Sequence, residues 1–164
     1  MISQTMQDAL NDQIKNEVYS SYLYLSMSAY FNLLDLPGFA GWMRQQSQEE
    51  YGHAIKILDY LEDQQAHVEL RAIDQPPSEF GSPLDVWQQT LDHERQVTAM
   101  IHRLYELALK ENDYATQAML QWFVTEQVEE EKTVTLILEQ VKRVGVSGTA
   151  LFFIDRHVGK MREE

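Results

Sequence analysis

Each of four long stretches of this chain carries an apolar seam at helical spacing, and each seam is broken midway by a carboxylate. The first seam runs Leu10, Ile14, Glu17, Ser21, Tyr24, Ser28, Phe31, and the second runs Met43, Gln46, Glu50, His53, Ile57, Tyr60. The third runs Trp87, Leu91, Glu94, Val97, Ile101, Leu104, Ala108, and the fourth Leu120, Phe123, Gln127, Glu130, Val134, Ile137, Val141. Residues three or four apart share one helix face, so these are four amphipathic helices. The interruptions lie near the helix midpoints. Aligned helices would therefore gather Glu17, Glu50, His53, Glu94, Gln127 and Glu130 into one layer. Like charges buried together are costly unless a cation compensates, and no seam position is Lys or Arg. An ordinary bundle with scattered, hydrogen-bonded polar residues is the plain alternative, and the coincidence of all six at one level disfavours it. Metal cations resolve the conflict.

Helix breakers set the topology. No Gly or Pro falls between residues 5 and 34, and Leu36-Pro37-Gly38 then marks a short turn. The second helix runs to about residue 65, and the connection 66–82 holds Pro76, Pro77 and Gly81. Pro83 opens a third helix to about residue 111, with Pro suited to a first helical turn. Asn112-Asp113 supplies a turn and a cap before a fourth helix to Val144, which Gly145 and Gly148 stop. Short connections make neighbours antiparallel. The long one reaches at most roughly 56 Å, against about 43 Å for the second helix, so it can cross the whole bundle and leave helices two and three parallel. The expectation is an all-α, one-domain chain over 1–164: a four-helix bundle over about 5–144, with a long crossover between helices two and three. A short C-terminal fifth helix is expected over about 148–158, with Ser147 as its cap.

Composition removes other chemistries. Without a single Cys among 164 residues, disulfides, thiolate zinc sites, iron–sulfur clusters and cysteine nucleophiles are excluded. Thirteen basic residues against 26 acidic ones, a net −13, argue against nucleic acid and favour attraction of cations. No apolar run approaches the roughly 20 residues of a membrane span. The segment MISQTMQDALNDQ has neither a positive n-region nor an apolar h-region, so no membrane or secretory signal is expected and a cytoplasmic location is. Mostly oxygen donors with one imidazole suit iron or manganese and fit zinc less well; an all-oxygen calcium cage would not need His53. Glu50 and His53 share a face, and Glu50 is central enough to bridge two ions.

The strings YSSYLYLSM, QEEYGHA, MLQWFVTEQVEEE and SGTALFFID resemble bacterial and archaeal non-haem ferritins closely, and the resemblance covers essentially the whole chain. The ferritin-like di-iron pattern takes a Glu from each of two helices and Glu-x-x-His from each of the other two. Helices one to three match it, whereas helix four reads Gln127-Val128-Glu129-Glu130, a departure typical of non-haem ferritins. The resemblance implies iron storage in a hollow shell of twenty-four subunits. Ferrous iron would be oxidised by dioxygen or peroxide at a centre inside each bundle.

By resemblance, Glu17, Glu50 and His53 form the first iron site, and Glu50, Glu94 and Glu130 the second, with Glu50 bridging. Gln127 faces bound dioxygen or water. Glu49, Glu126, Glu129 and Glu130 match a third iron site, and Tyr24 a tyrosine beside the centre that donates electrons or hydrogen bonds. Haem is not expected, because Tyr51-Gly52 stand where bacterioferritins place the haem-binding Met, and those proteins carry His where this chain has Glu130. The short tail helix would line a fourfold channel. The rival readings are a di-iron carboxylate oxygenase or oxidase, which needs an apolar substrate pocket beside the metals, and a metal-free interaction bundle.

Overall fold

The computed structural model describes residues 1–145 and 148–162. Among them are five helices and no strand: α1 (Gln4–Leu33), α2 (Pro37–Asp63), α3 (Pro83–Lys110), α4 (Tyr114–Val144) and α5 (Gly148–Lys160). The bounds lie within a residue or two of the breaker-based expectation. Ser147, the expected cap of α5, lies outside the described residues.

Local chemistry accounts for the ends. Ser3 caps α1, its hydroxyl accepting from the Met6 amide at 3.0 Å. Ser82 and Asp85 form a reciprocal capping box at α3, with Pro83 in the first turn. Asn112 adopts φ 55° and hands the chain to Asp113, which accepts from the Thr116 amide at 3.0 Å. Helix α2 begins at Pro37 with no cap of its own, since Leu36 has no polar side chain. Its cap comes from α5: the Asp155 carboxylate accepts from the Phe39 amide at 2.7 Å and the Gly38 amide at 3.1 Å. Here glycine is required. A Cβ on Gly38 would collide with the Asp155 backbone, and one on Gly159 would stand 2.8 Å from Gly38 Cα.

The long connection climbs along α1. Asn11 donates to the His67 carbonyl and accepts from the Glu69 amide, both at 2.9 Å. Higher up, Ser26 donates to the Pro77 carbonyl and Tyr30 to the Gly81 carbonyl, each at 2.5 Å. The connection thus leaves one end of the bundle and delivers Pro83 to the other, where α2 also starts, so α2 and α3 are parallel. The four-helix bundle with its crossover and short fifth helix is as expected.

The core is divided. One apolar cluster holds Tyr24, Phe31, Phe39, Trp42, Trp87, Val134 and Ile137; the other holds Leu10, Ile14, Ile57, Leu61, Ile101, Leu120 and Phe123. Between them, on every long helix, lie the acids and amides. Nearly all seam residues are buried; Ser21 and Tyr60 are half-buried. Ser21 and Ser47 donate to each other's carbonyls at 2.6 Å and clamp α1 to α2.

Candidate metal centre

Four helices each deliver a carboxylate to the dividing layer. Glu17, Glu50 and Glu94 are at most 1% exposed, and Glu130 and His53 are 6% exposed. Their ligand atoms fall into groups whose members lie within 4.8 Å of one another: Glu17, Glu50 and His53; Glu50, Glu94 and Glu130; and His53, Glu126 and Glu130. Glu50 belongs to the first two, and His53 and Glu130 link each of these to the third. His53 Nδ1 lies 3.2 Å from Glu50 and 3.8 Å from Glu17.

The electrostatics of this layer are those of acids short of cations. Burial, then repulsion from Glu94, pushes Glu50 well above the usual carboxylate range. The same two causes lift Glu130 to about 8. Burial raises Glu94 only to about 6, because Tyr24 and Gln127 donate hydrogen bonds to its ionised form. Burial opposes charge on His53, but the Glu17 and Glu50 carboxylates beside it outweigh it and raise its pKa to about 11. The imidazolium is thus the layer's own partial counter-charge. One oxygen has only a distant partner: Glu17 Oε2 is buried, makes no hydrogen bond among the described residues, and lies 3.8 Å from His53 Nδ1. Such an orphan is uncommon in a settled interior. Carboxylates around one imidazole, with a spare buried oxygen aimed among them, fit divalent iron as a guest.

Around the ligands lies a shell of donors. Tyr24 donates its hydroxyl to Glu94 Oε1, and its own pKa is raised well above 10 by burial and by Glu94. Gln127 Nε2 donates to Glu94 Oε2 and to Thr98 Oγ1, each at 3.1 Å. His93 stands edge-on behind Tyr24, yet its Nε2 faces Ser20 at 2.8 Å, away from the ligand groups.

Sequence reasoning missed Gln13 and placed Gln46 in the second seam without giving it a role. Gln13 donates to Glu17 at 2.9 Å. Gln46 donates to Glu50 at 2.8 Å and Glu130 at 2.9 Å, joining α2 to α4. Both sit four residues before the acid they hold on their own helix, a spacing visible in the sequence. The four residues of the expected third site are arranged more loosely. Glu49, Glu126, Glu129 and Glu130 line one cleft of about 280 Å³. Of these, Glu126 and Glu130 converge on His53, Glu49 pairs with Arg162 at 3.4 Å, and Glu129 is largely exposed, 3.9 Å from Lys132. Trp122 lies against His53 edge-on, with Lys56 over its indole.

The ferritin-like domain family matches residues 7–144. A bacterial non-heme ferritin of Bacteroides fragilis is 45% identical over 160 residues, 98% of this chain and 99% of that protein. One from Staphylococcus aureus is 36% identical over 159 residues, 97% and 96% of the two chains. Among solved structures, an open pore ferritin from the hyperthermophilic archaeon Archaeoglobus fulgidus superposes with a TM-score of 0.95 at 46% identity, covering 97% of this chain and 98% of that one.

Proposed function

The chain belongs to the ferritin family, and from that premise we propose that it oxidises ferrous iron at the layer inside its own bundle and stores the ferric product within a hollow shell of twenty-four copies in the cytoplasm. Glu17, Glu50 and His53 hold one iron and Glu50, Glu94 and Glu130 the other, with Glu50 shared. The observation that carries this is the pair of buried ligand groups with Glu50 in both.

Each ferrous ion gives up one electron, and dioxygen or peroxide takes the two together. The chain's own residues do the rest. Anionic oxygen ligands favour the ferric over the ferrous state. Gln46, Gln13, Gln127 and Tyr24 orient the carboxylates, as outer-shell donors do. Protons held on Glu50, Glu130 and His53 leave as iron enters. Gln127 and Tyr24 flank Glu94 on the side where an oxidant would be held. The acidic cleft beside the layer gives the ferric product an anionic exit, with Glu49, Glu126, Glu129 and Glu130 as a third station. That cleft suits a cation better than an apolar organic substrate, which favours storage over a di-iron oxygenase. No haem is called for, since Tyr51-Gly52 occupy the position of its ligand.

The exposed Phe152 and Phe153 on α5 support a tail that completes its burial against other copies. Anaerobic loading followed by air tests the reading. Rapid oxidation of about two irons per subunit, in particles of shell size that go on to retain many more, is the expected result. A small oligomer holding two irons and no more would overturn storage.

A further inference from the structure

Arg162, two residues beyond the end of α5, reaches back to the centre. Its guanidinium lies 4.2 Å from the ring centre of Trp42. It donates to the Trp42 carbonyl at 3.3 Å and to Gln46 Oε1, and pairs with Glu49 at 3.4 Å. The side chain is only 16% exposed although it comes from the tail. A carboxamide whose oxygen faces a guanidinium turns its NH₂ to the opposite side. Arg162 thereby fixes which end of Gln46 meets Glu50 and Glu130. It also lines the cleft that holds Glu49, Glu126, Glu129 and Glu130. Lys132 pairs with Glu129 at largely exposed atoms, and Lys56 lines the adjoining cleft with Glu49 and Glu126.

We propose that Arg162 is a displaceable counter-cation: it stands in the acidic cleft beside the iron layer, so that a further metal ion settles there only as the guanidinium withdraws. The inference rests on reading the layer as the iron-oxidising centre, and it adds a control on what leaves that centre. Two cations a few ångströms apart repel, and in a partly buried cleft the repulsion suffices for about a tenfold change in affinity. The tail position makes withdrawal feasible, since Arg162 lies beyond the end of α5 and only its own side chain has to leave the stacking, hydrogen bonds and ion pair that hold it. Gln46 would then be free to turn its oxygen toward the layer.

The test is calorimetric titration of the assembled, iron-free protein with zinc, which does not change oxidation state. Beyond the first two equivalents per subunit, Arg162→Gln should bind the next ion about tenfold more tightly than the native chain. Arg162→Lys, which keeps the charge, should stay within a few-fold of native. Equal affinity in Arg162→Gln and the native chain overturns the proposal. So does equal tightening in both variants, which would mean a merely structural effect, and so does the absence of any third equivalent in both the native chain and Arg162→Gln. Glu50→Ala provides a separate control for the layer: if the first two equivalents survive it, the reading of the centre fails on its own, whatever the Arg162 variants do.

Discussion

Replacing Glu130 by Gln should make the metal-free protein more stable while crippling its chemistry. In the folded chain Glu130 titrates at about 8, against an ordinary value of 4.5. Between those values the folded state binds a proton that the unfolded state has released, so stability falls as pH rises through the window. At pH 7 the interval is about 2.5 pH units at roughly 1.4 kcal/mol each, a cost of about 3 kcal/mol. Glu130→Gln has no such proton to exchange and keeps an oxygen to accept from Gln46. The stripped variant should therefore melt higher than stripped native protein by roughly 6–10 °C at pH 7. The gap should close near pH 4.5, widen with each unit, and become constant above pH 8. Added zinc or anaerobic ferrous iron should reverse the order, because ligands that bind only the folded state stabilise it. Scanning calorimetry of chelator-treated protein at four pH values measures this. A gap that does not change with pH, or native protein as stable as the variant at pH 9, would show that the layer does not carry the strain described.

Glu50→Ala should slow the rapid phase of iron oxidation more than any other single ligand change, since it removes the shared oxygen donor; stopped-flow absorbance reads this, and an intact rapid phase defeats the bridging assignment. Changes at Glu49 or Glu129 should leave the first turnover nearly intact and alter the second, so identical regeneration after a rest period counts against a third station. Zinc binding at pH 7 should release protons from Glu50, Glu130 and His53, and release fewer above pH 8 as Glu130 empties; heats that do not depend on buffer ionisation would contradict this. Asp155→Ala removes the only side-chain cap of α2 described and should cost about 1–2 kcal/mol, seen as faster amide exchange in α5; unchanged exchange would mean that α5 is held by other contacts.

The layer was legible because its information is local. Helical periodicity places Glu17, Glu50, His53, Glu94, Gln127 and Glu130 on inward faces, and helix lengths bring them to one height. Capping was legible for the same reason at Asp113. The Asp155 cap was not, because its partners lie 116 and 117 residues away and Leu36 carries no sign of needing help. Arg162 was hidden more deeply. Its contact with Gln46 spans 116 residues and depends on how α5 docks, which in turn depends on two glycines touching. Gln13 and Gln46 sat in plain view at i−4, but amides on an inward face read as ordinary hydrogen-bonding residues until the acids above them are seen to converge.

The two apolar clusters on either side of the layer decide the direction of traffic. A hydrated ion moving along the bundle axis would have to pass Phe31, Phe39 and Trp87 at one end or Leu61, Ile101 and Leu120 at the other. On the proposed reading, entry and departure are lateral, through the sides between helices, where His53, Glu126 and Glu130 border open clefts. Enlarging side chains at the bundle ends should change melting without changing flux, and narrowing the gap between α2 and α4 should do the reverse.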